Sequence, residues 1–438
     1  MFDYFKASKF FAYAALFCVV LVSSSTLFPF IVGKYTWFRS AALIGTALFA
    51  LGVLFSPRAE HYLARLKNLF KSRLVLAVTA FVFVFLLASA FAYDPHAAFW
   101  SNFERGEGGL QILCLYLWFL LMGTLFEGER DWRKAFGFSA VAGVMVAVYG
   151  LAALAGIAGF IPAGGDRFAG ALGNPAYTGT YALFLMLFLG WMFATSPSRA
   201  GRVTWGVFIV AMLAVFIGSK TRGAGIGLAI AVVAYLGYLI ARSSGRVRAW
   251  GAGVLLAFLI AGGSLVYWSK TPFVQSLPGG RLFELSLSEG TAQTRLWTWG
   301  SAVRGWKERP VLGWGPENFT VVFDKHFDIR HYIPGVGSET WFDRAHSVFF
   351  DYLAEIGILG LLAYLSVFVA YFWDGFRRGG ALRSGRPAAT GFLVALPLAY
   401  LGQGIVLFDV LPTYLNLFLM LAFAAWYFEA NKTPVSHV

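Results

Sequence analysis

Charge is scarce in this chain. Asp, Glu, Lys and Arg supply 13% of its 438 residues, about half the usual share for a water-soluble domain. With 58% hydrophobic and 18% aromatic residues and a mean hydropathy of +0.67, a soluble fold is excluded. Cysteine is almost missing. Cys18 and Cys114 are the two present, and both fall inside apolar runs, so neither a disulfide framework nor a cysteine-held metal is expected. Acidic residues are fewer than basic ones, 22 against 35, for a formal charge of +13. Such a surplus can mark nucleic-acid binding, but here the basic residues lie in short loops between apolar runs. The expected partner is the lipid bilayer, and nucleic acid is not one. Nucleotide signatures are lacking too: there is no Walker motif, no G-x-G-x-x-G opening a helix after a strand, and no D-x-D. A cytosolic nucleotide donor is therefore disfavoured. No small-residue cleavage site follows the first apolar run, which starts near Phe10, so that run is read as a retained helix. Tandem repeats and low-complexity tails are absent as well.

What is present is a succession of apolar stretches of about 20 residues, the length a helix needs to cross the hydrocarbon core. Twelve candidate spans lie near 10–32, 37–56, 74–93, 108–126, 135–156, 176–195, 203–219, 223–241, 249–268, 347–373, 388–408 and 410–428. The fold class expected is an all-α polytopic membrane protein with about 12 transmembrane helices. Residues 1–268 carry nine of them, 269–345 form a long extracytoplasmic loop domain with short helices, and 346–438 carry the last three and a tail. Twenty of the 35 Lys and Arg fall in loops on one side, six in the short segments of the other, and nine in the long loop. The excess of basic loops marks the cytoplasmic side. Both termini are thus expected there, and the long loop outside. Within that loop, residues 295–303 read as an amphipathic helix, and 307–310 and 313–316 as turns.

The few basic residues expected outside stand close to helix starts. Arg222 lies in Ser219-Lys220-Thr221-Arg222-Gly223, between two apolar runs with almost no room for a loop. Arg167 precedes Asn174-Pro175, Arg105 precedes Gly108, and Arg295 and Arg344 come from the long loop. Guanidiniums gathered at one outer mouth call for an anion, and a phosphate or diphosphate suits their bidentate geometry. Gly108 and Gly223 at helix starts would add backbone N–H groups and the positive end of the helix dipole. The plainer alternative is local pairing: Glu104 and Glu107 flank Arg105, Asp166 precedes Arg167, and Asp343 precedes Arg344.

His346 opens the tenth apolar run, preceded by Asp343 and Arg344. A histidine near neutral pH can move a proton, although a structural hydrogen bond is the commoner role at a helix start. Asp351 and Glu355 follow on the same expected helix, Glu355 roughly 13 Å deeper than His346 at 1.5 Å per residue. Carboxylates at that depth are expensive; they either serve function or pair within the bundle. His326 and His331, with Asp328 between, make an incomplete metal-ligand set. No metal and no cofactor is expected.

These residues together resemble the O-antigen ligase and polymerase superfamily of bacterial membrane glycosyltransferases, which also includes protein O-oligosaccharyltransferases. The resemblance rests on Arg295-x-x-x-Trp299, Pro310-Val311-Leu312-Gly313-Trp314-Gly315-Pro316-Glu317-Asn318-Phe319, His346 and Glu355-Ile356-Gly357-Ile358-Leu359-Gly360. It rests also on the upstream elements Thr221-Arg222-Gly223 and Arg167 to Tyr177. Two departures are visible: Ser347 follows the histidine and Ala176 follows Asn-Pro, where the family commonly has Asn. The resemblance implies a metal-independent transferase on the outer face of the cytoplasmic membrane, using a glycan carried on undecaprenyl diphosphate. It implies that Arg222 and Arg295 bind the diphosphate and that His346 acts on the acceptor hydroxyl, with inversion if displacement is a single step. The acceptor is a growing glycan, a lipid A core or a protein hydroxyl, which ties the chain to lipopolysaccharide or other envelope polysaccharide synthesis. The rival from another class is a transporter of lipid-linked sugar. Such a protein opens to both sides in turn and is commonly built from matched repeats of broken helices, which the sequence does not show.

Overall fold

The computed structural model describes residues 2–284, 290–332, 341–377 and 379–432. Arg378, His437 and parts of the expected loop domain lie outside these. The described residues form helices and connecting loops only. The chain starts with α1 (Tyr4–Ala14), which tightens into a 3-10 turn over Ala15–Val20. It continues through α2 (Val32–Phe55), α3 (Arg73–Ala90), α4 (Gly109–Leu125), α5 (Glu129–Leu154), α6 (Pro175–Thr195), α7 (Arg199–Ser219), α8 (Arg222–Arg242) and α9 (Gly245–Tyr267). A polar layer follows with α10 (Gly290–Glu308) and α11 (Phe319–Lys325). The last part holds α12 (Val348–Glu355), α13 (Gly357–Phe376), α14 (Pro387–Gly404) and α15 (Leu411–Ala430).

Among the described residues nine helices are long and apolar enough to cross a membrane: α2, α3, α5 to α9, α13 and α15. The other three expected spans take different forms. The first is not one helix over 10–32: it begins at Tyr4, ends near Val20, and the chain then folds back through a loop to Ile31. The fourth is a 17-residue helix, α4, and the eleventh, α14, is 18 residues long with Pro397 inside it. The tenth expected span, 347–373, is cut in two after Glu355.

The hub of the bundle is α6 with α15. Some 83% and 89% of their most apolar stretches are buried inside the protein, against 6% for α9 at the rim. Apolar side chains on α9 such as Val254, Leu259 and Ile260 face outward, as a lipid-facing helix requires. Close helix contact relies on small residues: a Cβ on Gly227 of α8 would stand 3.0 Å from the Ala399 carbonyl oxygen of α14. The polar layer has a small core of its own, built from Ala302, Trp314, Phe319, Val322, Phe323, Phe342, Ala345 and Ala354.

The break between α12 and α13 is mended by the segment before α11. Gly357 sits at φ +66° and Gly313 at φ +68°, left-handed geometry that favours glycine. A helix interrupted there leaves carbonyls of α12 and amides of α13 unpaired. The loop supplies the partners: the amides of Trp314 and Gly315 donate to the carbonyls of Ala354 and Glu355 at 2.9 and 2.7 Å. The amides of Ile358 and Leu359 donate to the carbonyls of Pro310 and Val311 at 2.9 and 3.2 Å. The Trp-Gly-Pro turn and the Glu-Ile-Gly run are thus two halves of one joint.

Candidate functional site

The N-terminal ends of α6 and α15 and the loop before α4 surround one cavity of about 510 Å³, and the loop before α12 closes it. Arg105, Arg167, Asn174, Arg295, Asp343 and His346 line it, beside Glu104, Tyr177, Phe408 and the apolar stretch Phe28–Ile31. Six of the ten sequence-predicted site residues thus meet at one place. Arg222, Arg344, Asp351 and Glu355 are not in the lining.

Each cation in the cavity is held differently. Arg105 follows a turn in which its own amide donates to the Asn102 side chain at 2.8 Å. Its Nε donates to Asp343 at 2.6 Å, one Nη donates to the Tyr177 hydroxyl at 3.0 Å, and the guanidinium lies 5.3 Å over the Phe408 ring. Asp343 is therefore the partner of Arg105 and not of its neighbour Arg344. Burial works against the ionised Asp343, and the Arg105 hydrogen bond and charge outweigh it, holding the carboxyl below its ordinary value. Arg167 donates to the Ser219 carbonyl at 3.0 Å and to Thr221 Oγ1 at 2.9 Å, which ties its loop to the end of α7. Burial and the nearby charges of Arg281 and Arg222 push Arg167 below the usual arginine value. A further anion there is thereby favoured. Arg222 donates to the Glu284 carbonyl at 2.9 Å. Asn174 caps α6, accepting from the Ala176 amide at 2.8 Å, with Pro175 at the first helical position. Gly108 and Gly223 are also sites of close approach. A Cβ on Gly108 would stand 2.6 Å from the Ala98 carbonyl oxygen, and one on Gly223 2.9 Å from Leu407. No larger residue would fit at either position without a shift.

His346 adopts a left-handed backbone, φ +57°, which a non-glycine residue keeps only when its surroundings hold it. Four contacts do so. The Ala345 amide donates to Asp351 at 2.6 Å, and the Trp299 indole N–H donates to the Ala345 carbonyl at 2.9 Å. Trp299 is itself stacked on Phe350, 4.8 Å between centroids. The Val348 amide donates to the Leu407 carbonyl at 3.0 Å. Finally, His346 Nδ1 lies 3.1 Å from the Arg344 carbonyl oxygen. A carbonyl only accepts, so the ring proton belongs on Nδ1 and Nε2 keeps the lone pair. The imidazole packs edge-on against Phe342 and Phe408, and burial drives its pKa down to about 4. His346 is a neutral imidazole with an acceptor nitrogen in a cavity of cations.

Arg344, Asp351 and Glu355 build the floor. Arg344 is 6% exposed, reaches Glu355 at 2.8 Å, is ion-paired to Glu317 and lies 3.6 Å from Glu107. Glu317, at φ +63°, also donates its amide to Glu355 at 3.0 Å. The arginine thus stitches α4's approach, the Trp-Gly-Pro turn and the end of α12. Arg344, expected among the donor's arginines, is surrounded by three carboxylates and does not line the cavity. Glu355 pairs with Arg344 inside the bundle, while Asp351 accepts from the Ala345 amide just before His346.

Sequence reasoning gave Tyr177 and Glu317 no role of their own and set Glu107 beside Arg105, not Arg344. Tyr177 lies three residues after Asn174, on one turn of α6, and that spacing was the available signal. The two glutamates gave none, because their partner is distant in sequence. His331 is buried among Trp297, Phe323, Phe327 and Phe342, and His326 faces Glu308 at 3.2 Å. Among the described residues no three His, Cys, Asp or Glu side chains come together as metal ligands do.

Residues 207–365 match the family described as O-antigen ligase. The match bears out the superfamily resemblance over the stretch that holds Arg222, Arg295, Arg344, His346, Asp351 and Glu355. Arg105, Arg167 and Asn174 complete the cavity from outside it. A search of curated proteins finds no match.

Proposed function

We propose that this protein transfers a glycan from undecaprenyl diphosphate to an acceptor hydroxyl in the cavity bounded by Arg105, Arg167, Arg295 and His346, as an O-antigen ligase or polymerase does. The single observation that carries the reading is the pairing of three guanidiniums with one neutral histidine in a cavity of about 510 Å³. In the displacement, the acceptor oxygen bonds to the anomeric carbon while the bond from that carbon to the diphosphate oxygen breaks. The hydroxyl proton passes to His346 Nε2, and the electron pair leaves with the diphosphate. Negative charge grows on the leaving group, where preset arginines stabilise it without reorganisation. Asp343 keeps Arg105 aimed, and Arg222 adds to the positive field beside Arg167. A single displacement inverts the anomeric centre. The outer face of the cytoplasmic membrane is the setting, with both termini inside.

The test is an assay of purified wild type and His346→Ala with an undecaprenyl-diphosphate glycan and glycan or lipid A core acceptors. Transfer by wild type, lost in His346→Ala while donor binding survives, is the expected result. Arg295→Ala and Arg167→Ala should weaken donor binding itself. Wild type that forms no glycosidic bond yet moves lipid-linked sugar between leaflets would replace this reading with transport.

A further inference from the structure

A second cavity, of about 480 Å³, lies at the opposite ends of the helices that frame the first. Arg65, Lys71, Lys432, Glu429, Leu69 and Trp426 line it. The first cavity receives Arg105 before α4 and Thr413 at the start of α15; the second receives the last turn of α4 and the last turn of α15. A 17-residue α4 spans about 25 Å at 1.5 Å per residue, so the two cavities belong to opposite membrane faces. Arg65 is pinned at the wall, donating to the carbonyls of Thr124 and Phe126 at 2.7 and 2.9 Å. Lys71 is exposed in the turn before α3, and Lys432 is ion-paired to Glu429. The lining therefore carries three positive charges against one negative, over an apolar wall of Leu69 and Trp426.

We propose that this cavity holds the phosphoryl headgroup of an anionic phospholipid from the leaflet opposite the transfer site. Three features favour a lipid over a soluble anion. The site sits where helices end, it joins a net charge of two to an apolar wall, and its indole belongs to the residue type that settles at the headgroup level. Basic pockets between helix ends on the cytoplasmic side are the places where acidic headgroups lodge. The Lys432–Glu429 pair is the element a headgroup must displace. Glu429 thus sets the affinity from the opposite direction to the lysines.

The experiment is native mass spectrometry of the full-length protein in detergent, with phosphatidylglycerol or phosphatidylcholine of identical acyl chains. Wild type should retain phosphatidylglycerol in preference. The double variant Lys71→Gln/Lys432→Gln should lower that preference about thirtyfold, and Glu429→Gln should raise it. Arg295→Ala and His346→Ala should leave it unchanged, which separates this site from the transfer cavity. Equal retention of the two lipids by wild type, or an unaltered preference in the lysine variant, overturns the proposal. Displacement of the lipid by millimolar inorganic phosphate would mark the site as one for a free anion and overturn the lipid assignment.

Discussion

At His346 a left-handed backbone and a proton-poor ring are produced by the same surroundings. Phe342, Phe408 and the cavity wall remove water from the imidazole, while Asp351 and Trp299 hold the peptide before it. Burial disfavours the imidazolium, so the folded-state pKa, about 4, lies below the ordinary 6.5. As pH falls through that window the unfolded chain takes up a proton that the folded site refuses, and stability is lost as pH drops from 6.5 to 4. Activity follows the same sign. The acid limb of kcat/KM, which reports the free enzyme, is expected near pH 4 and well below a solvent-exposed histidine. The acid limb of kcat should move upward, because bound diphosphate favours the imidazolium. A limb at pH 6.5 in both profiles would count against the buried, neutral assignment. Trp299→Phe keeps the stack on Phe350 and removes the hydrogen bond to the Ala345 carbonyl. It should lower kcat by about tenfold or more through misplacement of His346 while KM for the donor stays put; an equal rise in KM would assign Trp299 to donor binding.

Among the elements, the joint between α12 and α13 shows what the sequence disclosed and what it hid. The residues of the joint were recognisable as motifs, and a helix over Gly290–Glu308 covers the segment read as amphipathic. The break itself was invisible, because Gly357 inside an apolar run carries no periodic signal. Its meaning depends on Gly313 and Val311, more than forty residues upstream. The partners of Arg344 were hidden for the same physical reason: Glu107, Glu317 and Glu355 come from three separate segments, and a neighbouring Asp343 is the nearer carboxylate in sequence. By contrast Arg105, Arg167 and Arg295 were legible, since a basic residue beside a helix start is conspicuous in a chain so poor in charge. Gly357→Ala would place a Cβ 2.3 Å from the Val311 carbonyl oxygen and force a left-handed alanine at about 1–2 kcal/mol. The expected outcome is a lowered melting temperature in detergent, with little folded protein at 37 °C. Arg344→Ala leaves three carboxylates buried without their cation, a change worth about 3–5 kcal/mol. It should abolish accumulation of folded protein, whereas Arg295→Ala accumulates normally. A well-folded, donor-blind Arg344→Ala would return Arg344 to the transfer site.

For the whole molecule, the proposed transfer depends on orientation, which decides which leaflet would supply the donor. The positive-inside count puts the turn between α8 and α9 inside and the loop between α5 and α6, on the side of Arg167, outside. The two native cysteines are buried, so they provide a silent background for thiol labelling. Ala158 and Ser244 are both exposed and stand on opposite sides of this scheme. In intact cells, Ala158→Cys should react with a membrane-impermeant maleimide, and Ser244→Cys should react only after the membrane is opened. The reverse pattern would turn the cavity of Arg105 and His346 toward the cytosol. The lipid-linked donor would then have to be used before it crossed the membrane, and transfer at the outer face would be untenable. Labelling of both positions from one side would instead show that the bundle has a different number of crossings between α5 and α9, and the helix count itself would need revision.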